Sequence, residues 1–178
     1  RGRQHGVLRT QSAINAALAG MSYQPTPNAN GAATLSITTS DLGNTGSGGP
    51  LTDSDSVAIT VNAINDAPVN TVPGAQSVNE DQTLVFSSGN GNLISVSDVD
   101  ASASSMRVTL SVAHGVLTLS SITGLTFVSG DGNTDASMTF TGTAANINAA
   151  LAGLTYTPTS HYQGVDLSLI HISEPTRP

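Results

Sequence analysis

The chain has 178 residues, with 12 acidic and five basic side chains, a formal net charge of −7 and no cysteine. The lack of cysteine excludes disulfides and thiol chemistry. The excess of carboxylates excludes direct binding to nucleic acid or anionic lipid, because too few cations are present to neutralise phosphate, but it permits binding of divalent cations. No apolar run approaches the roughly 20 residues of a membrane span, so no membrane insertion is expected.

The first recognisable element along the chain is residues 14–26 (INAALAGMSYQPT), which return as residues 147–159 (INAALAGLTYTPT) with ten of 13 positions identical, at an offset of 133. Self-similarity at a fixed spacing predicts a repeat architecture. We therefore expect the chain to be a window from a longer protein built of similar modules.

Both ends of the chain depart from this repeat. Residues 1–9 share no identity with residues 134–142, yet a shift of one base in degenerate codons would nearly restore the match, so a frameshift is expected ahead of Thr10. Residues 167–178 break the register of the repeat and resemble a translated sequencing adaptor, so we treat them as an artefactual tail. Between these ends, the sequence contains one basic residue, Arg107, and ten Asp and one Glu, which gives a net charge of −10.

The remaining elements are predicted to be short strands separated by turns. Alternating apolar and polar residues predict strands at 33–39 and 56–61, on either side of a loop rich in Gly, Ser and Asn. Residues 62–73 contain two prolines and no alternation, so they are interpreted as a linker. A second series of strands follows, at residues 76–78, 83–87, 93–96, 107–112, 116–120, 125–128, 137–141 and 154–158.

One helix is predicted at residues 143–153, with Thr143 as its N-cap and Gly153 as its C-cap. Many short strands at regular spacing indicate an all-β fold of tandem β-sandwich repeats, each with a short helix. The predicted domains are residues 1–64, the C-terminal part of one repeat, and residues 65–166, a repeat that lacks its last strands. Open sheet edges in the second repeat would favour aggregation.

Acidic and amide side chains form three groups near the predicted ends of the sandwich. The groups are Asn62, Asn65 and Asp66 in the linker, Glu80 near the first strand, and Asp98 with Asp100 after a strand. Ca²⁺ takes six to eight oxygen ligands from carboxylates and carbonyls, and two Asp residues two apart can face one ion from a turn. The alternative is that these residues form Asx turns and caps without a metal. Asp98 and Asp100 are expected to be solvated loop residues.

In this order, the motifs NDAPV, VNED, ISVSDVDA and TFTGT…INAALAGLTYTP make residues 10–166 resemble the cadherin-like (Ig-like β-sandwich) tandem repeats of large bacterial secreted surface adhesins. The resemblance implies a calcium ion shared by Asn62, Asn65 and Asp66 with Asp98 and Asp100. It also implies that Glu80 faces the same junction or the next one. Asn62 replaces an Asp of the family's linker motif, and the mid-domain D-R-E is absent, so binding is expected in the weak ~10⁻⁴ to 10⁻³ M class.

No catalytic motif is recognisable, so no enzymatic activity is expected. The resemblance implies a structural spacer or adhesion repeat, extracellular on the bacterial surface, with neighbouring repeats as its partners and host or biofilm ligands bound through other domains. The alternative is a carbohydrate- or protein-binding β-sandwich module. Sugar sites usually present exposed aromatic rings, whereas Tyr23 and Tyr156 are predicted to be core residues. The acidic segment Asp131-Gly-Asn133-Thr-Asp135 is interpreted separately, as a plain turn.

Overall fold

The computed structural model describes residues 10–43, 47–166 and 169–173. It divides into two compact units, Arg1–Ile64 and Asn65–Pro178, called unit 1 and unit 2 below. The described chain is mostly strand, in antiparallel sheets with two short helices, which confirms the predicted all-β class. Residues 1–9, where the frameshift is expected, and residues 167–168 and 174–178 of the tail lie outside the described residues.

Unit 1 consists of one helix and one hairpin: α1 (Gln11–Leu18), β1 (Gly31–Ser40) and β2 (Thr52–Val61). The two strands pair without interruption from Gly31 opposite Val61 to Ser40 opposite Thr52. The strand β2 begins four residues earlier than predicted because Asp41 closes the hairpin loop. Its Oδ1 accepts hydrogen bonds from the N–H of Gly43 at 2.9 Å and of Leu51 at 2.8 Å.

The hairpin of unit 1 is amphipathic. Antiparallel partners lie on the same face of a sheet, and the apolar partners include Ala33 with Ile59 and Leu35 with Val57. These side chains are nevertheless accessible, since Leu35 is 37% and Val57 57% exposed. The alternation that predicted a half-buried hairpin is therefore present, but little covers its apolar face.

Unit 2 contains nine strands and one helix among its described residues. They are β3 (Val69–Thr71), β4 (Leu84–Phe86), β5 (Ser95–Ser97), β6 (Ser105–Ser111), β7 (Gly115–Thr118), β8 (Thr126–Ser129), β9 (Ser137–Thr143), α2 (Ala144–Leu151), β10 (Leu154–Pro158) and β11 (Leu169–Ser173). The sheets have the orders β4-β10-β7, β11-β6-β9-β8 and β3-β5.

One core lies between the two larger sheets of unit 2. Val108 of β6 pairs with Phe140 of β9, and both side chains are fully buried. Leu117 of β7 and Leu154 of β10 enter the same cluster from the other sheet, and Ile147 enters it from α2. The strict alternation of buried and exposed residues along β6 and β9 is the reason that sequence periodicity located these strands correctly.

Two predicted features of unit 2 are wrong in detail. Residues 76–78 form no strand, whereas β3 lies inside the segment interpreted as a linker, where Val69–Thr71 pairs with Ser95–Ser97. Pro68 and Pro73 lie outside this short ladder, so neither removes one of its N–H donors. A three-residue strand is too short to show alternation, and its existence depends on the edge that β5 offers.

The predicted artefactual tail contributes a strand. In β11, Leu169 lies opposite Ser111 and Ser173 opposite Arg107, so β11 covers the edge of β6 that was expected to be open. At the offset of 133, residues 169–173 correspond to residues 36–40, the second half of β1. The segment therefore occupies the position of a repeat strand although its sequence departs from that of β1, because backbone pairing requires little of the side chains.

The repeated segment forms a helix in both units, at the same offset of 133: Gln11–Leu18 and Ala144–Leu151. Thr143 caps α2 by accepting a hydrogen bond from the Asn146 N–H at 3.3 Å. Gly20 and Gly153, which follow the two helices, both have positive φ, at 81° and 107°. Both helices therefore end in the left-handed conformation that glycine adopts most readily.

Candidate functional site

The loop after β5 is organised by Asp98. Its Oδ1 accepts hydrogen bonds from the N–H of Asp100 at 2.7 Å and of Ala101 at 2.9 Å, which is Asx-turn geometry. Ala101 is buried in the core, and the other carboxylate oxygen of Asp98, Oδ2, is itself buried. The expectation that Asp98 is a solvated loop residue is wrong, because its carboxylate holds the turn together.

Asp100 connects this loop to the start of unit 2. The Asp66 N–H donates a hydrogen bond to Asp100 Oδ2 at 2.6 Å, across 34 residues of sequence. Beside it, the Asn65 side chain donates to the Asp66 carbonyl at 3.3 Å. The structure thus brings Asn65, Asp66, Asp98 and Asp100 into one neighbourhood, whereas Asn62 is an exposed residue of unit 1.

The donor atoms of this neighbourhood fit calcium chemically, since Asp66, Asp98 and Asp100 supply carboxylates and Asn65 an amide carbonyl. Their spacing fits less well. Among the described residues, the group of three acidic or histidine side chains with ligand atoms within 4.8 Å of one another is Glu80, Asp81 and His161, and the three aspartates do not meet that spacing. Ion binding at the aspartates would require their side chains to move closer together.

Glu80 lies with Asp81 and His161, all three exposed. Asp81 Oδ1 accepts from the His161 N–H at 3.1 Å, and Asp81 Oδ2 lies 3.4 Å from His161 Nδ1. Gln163 donates to Glu80 Oε2 at 3.2 Å. Asp81 was recognisable beside Glu80, but His161, 80 residues away, had no local signal that pointed to it.

The segment from Asp131 to Asp135 forms a turn through its own carboxylates. Asp135 Oδ2 accepts from the N–H of Asp131 and of Gly132, and Asp131 Oδ1 accepts from the Asn133 N–H. The segment is therefore a turn held together by its own carboxylates, as the plain-turn interpretation predicts.

Sequence reasoning missed a polar cluster around Asp166. Asp166 accepts hydrogen bonds from the N–H of Ala113 at 2.9 Å, the N–H of His114 at 3.0 Å and the hydroxyl of Tyr156 at 2.7 Å. The His114 ring stacks on Tyr162 with centroids 4.1 Å apart. Asp166 thereby fixes the turn between β6 and β7 to the end of the second repeat.

This bonding sets the charge state of the cluster. Burial raises the pKa of Asp166, but hydrogen bonds from the Tyr156 hydroxyl and from the N–H groups of Ala113 and His114 lower it by more, so its pKa lies below the ordinary 3.8. Burial, followed by the bond to Asp166, raises the pKa of Tyr156. Asp166 is therefore ionised and Tyr156 neutral at physiological pH.

Replacing Asp166→Asn should lower the free energy of unfolding of unit 2 by about 1.5–3 kcal/mol at pH 7, the range for hydrogen bonds to charged groups. Because the folded pKa is lowered, the wild-type advantage is fully present above pH 3.8 and is lost as the pH falls through the folded pKa. Urea denaturation of both proteins from pH 7 to pH 2.5 measures this difference. A gap that stays constant below pH 3.8 would contradict the assignment, and Asp53→Asn, at an exposed strand position, is the control.

Comparison with family models, with curated proteins and with solved structures gives no match for this chain. The resemblance to cadherin-like repeats therefore rests on the sequence motifs. None of the described helices is long and apolar enough to cross a membrane.

Proposed function

We propose that the chain is a structural spacer of cadherin-like repeats from a large extracellular bacterial surface protein, and that calcium stiffens the linker between its repeats. The observation that carries the proposal is the hydrogen bond from the Asp66 backbone to the Asp100 carboxylate. It ties the start of unit 2 to the loop where the family resemblance implies an ion.

The arrangement of repeats supports a mechanical role. Each unit contains the same helix at the same offset, and unit 2 forms its own core, as expected of modules joined in series. A spacer that holds a distant domain away from the cell needs rigid linkers between its repeats. Without a bound cation, carboxylates at such a linker repel one another. One bound divalent ion would offset the repulsion among Asp66, Asp98 and Asp100 and would order the linker.

The aromatic residues give less support to the alternative of a carbohydrate-binding module. Tyr156 is only 8% exposed and belongs to the core. Tyr162 lies face to face with His114, at an interplanar angle of 6°. Tyr156 and Tyr162 are thus engaged within unit 2. The prediction that Tyr23 is also a core residue is wrong, since Tyr23 is 54% exposed in unit 1. The preference for the spacer therefore rests on the contact between Asp66 and Asp100.

Calcium titration of the chain tests the proposal. We expect binding in the ~10⁻⁴ to 10⁻³ M range and a gain in unfolding free energy of about 1.4 kcal/mol at ten times Kd. Asp100→Asn should weaken binding about tenfold or more while retaining an acceptor for the Asp66 N–H. Asp55→Asn, an exposed strand residue of unit 1, should change nothing.

Glu80→Gln separates the two acidic groups, because Glu80 lies with Asp81 and His161. If calcium binding is lost in Glu80→Gln and kept in Asp100→Asn, the ion belongs to the other cluster and the assignment to the linker is wrong. Titration calorimetry that detects no binding up to ~10 mM, above the weakest extracellular class, would overturn the proposal.

A further inference from the structure

The dipeptide Asn-Gly occurs twice in this chain, as Asn30-Gly31 in unit 1 and as Asn90-Gly91 in unit 2. Both asparagines are exposed, and a Cβ atom added to either glycine would have no neighbour within 4 Å. Neither burial nor crowding therefore separates the two sites, and any difference between them rests on hydrogen bonds.

An Asn-Gly sequence contains both reactants of a spontaneous modification. The glycine nitrogen attacks the side-chain Cγ of the asparagine, because this closes a five-membered ring and glycine has no Cβ in the way. The N–Cγ bond forms, the side-chain nitrogen leaves as ammonia with the proton of the glycine N–H, and the product is a succinimide. Water then opens the ring at either carbonyl, which gives aspartate or isoaspartate.

In unit 2, hydrogen bonds hold both reactants in place. The Asn90 side-chain amide donates to the Val85 carbonyl at 2.9 Å, and the Gly91 N–H donates to the Ser88 carbonyl at 3.1 Å. The same turn is anchored by Asn92, which is 5% exposed and whose side chain also donates to the Val85 carbonyl, at 3.2 Å. Attack on the Asn90 side chain therefore requires this turn to open.

Asn30 is not held in this way. Among the described residues, the Asn30 side chain makes no hydrogen bond. Gly31 is the first residue of β1 and lies opposite Val61, the last residue of β2. The ladder ends at this pair, so the backbone at Gly31 opens locally without disturbing the rest of the hairpin.

The accessibility of this site is a property of the repeat. At the offset of 133, Gln163 and Gly164 correspond to Asn30 and Gly31, and both are exposed although unit 2 has its own core. Glutamine at this position reacts far more slowly, because attack by the next nitrogen must close a six-membered ring. The two units therefore share an open position, and unit 1 carries the reactive side chain there.

We propose that Asn30 is a site of spontaneous deamidation, where the chain converts itself through a succinimide into isoaspartate and aspartate, while the turn at Asn90 protects the second Asn-Gly sequence. Both products add a carboxylate, and isoaspartate also lengthens the main chain by one carbon atom. Because Gly31 lies opposite Val61, the change falls at the end of the hairpin from which residues 62–73 lead into unit 2.

The experiment incubates the full chain in mildly alkaline buffer and digests samples with pepsin in acid, where the glycine nitrogen no longer reacts. Mass spectrometry then follows the peptides that contain Asn30 and Asn90. We expect Asn30 to convert at least about tenfold faster than Asn90, because only Asn90 must wait for its turn to open. In urea that unfolds the chain, the two rates should agree within about threefold, since no native hydrogen bond then distinguishes them.

Two variants and the product ratio complete the test. Asn30→Gln, which reproduces the side chain of Gln163, should abolish the conversion in its peptide, whereas Asn133→Gln, at an exposed turn position, should leave the rate at Asn30 unchanged. Isoaspartate should form beside aspartate, because a succinimide opens at both carbonyls and direct hydrolysis gives aspartate alone. The proposal is overturned by equal rates at Asn30 and Asn90 in the folded chain, by aspartate without isoaspartate, or by a rate difference that persists in urea. None of these outcomes depends on calcium, so none bears on the proposed function.

Discussion

Leu151→Ala should destabilise unit 2 by about 2–5 kcal/mol, whereas Leu18→Ala, the same substitution at the equivalent position of unit 1, should cost less than about 1 kcal/mol. Leu151 is 0% exposed and packs in the core, so its removal leaves a cavity; Leu18 is 40% exposed and loses little. Local sequence and helix position are shared, so the comparison isolates tertiary burial.

Thermal unfolding measured by circular dichroism reports this difference. For a unit of about 100 residues, 1 kcal/mol corresponds to a shift of roughly 4–8 °C in the midpoint, so the Leu151→Ala shift should be at least about 8 °C. Similar decreases of the unfolding midpoint in the two variants would mean that α1 is packed as firmly as α2. That result would contradict the different burial of Leu18 and Leu151 in the structure.

Asn148→Ala should lower the unfolding free energy of unit 2 by about 1–3 kcal/mol, while Asn15→Ala should leave stability within about 0.5 kcal/mol. The Asn148 side chain makes two hydrogen bonds to the Val96 backbone and joins α2 to β5. Removing it leaves the Val96 N–H and carbonyl without these hydrogen bonds in a half-buried site. A buried polar group left unsatisfied costs more free energy than the net contribution of the hydrogen bond that it lost.

Urea denaturation of the two variants at equal protein concentration measures this difference. Equal stability of Asn148→Ala and wild type would mean that water replaces the lost bonds without cost. In that case the helix would be held by its apolar face alone.

Sequence periodicity located elements that have partners and a buried face. The strands at residues 107–112 and 137–141 were found because buried and exposed residues alternate along β6 and β9. The helix was found because Thr143 and Gly153 bracket it. The strands β3 and β11 were missed because short segments, or segments that depart from the repeat sequence, form strands where a sheet edge is available, and such edges are not visible in local sequence.

The candidate site also contains parts that local sequence predicts and parts that depend on contacts between distant residues. Asp98 and Asp100 lie two residues apart in sequence, and the structure joins Asp66 to Asp100 by a hydrogen bond. The calcium ion that the family resemblance assigns to these residues stays a prediction. The contact of Glu80 with His161 joins residues 81 apart (161 − 80). Two of the three bonds to Asp166 join residues 52 and 53 apart, and the third, from Tyr156, joins residues ten apart. Asp98 looked like a solvated ligand, yet its Oδ1 is committed to the turn at residues 98–101.

One repeated sequence is covered by residues 65–142 in unit 2 and left exposed among the described residues of unit 1. Residue-resolved hydrogen exchange of the full chain tests it most directly, because Ala16–Leu18 and Ala149–Leu151 have identical sequences and helical structure. The structure predicts that amides in α2 exchange only with global unfolding of unit 2, whereas those in α1 exchange at least about 100-fold faster, through local opening. Equal protection of the two helices would contradict the claim.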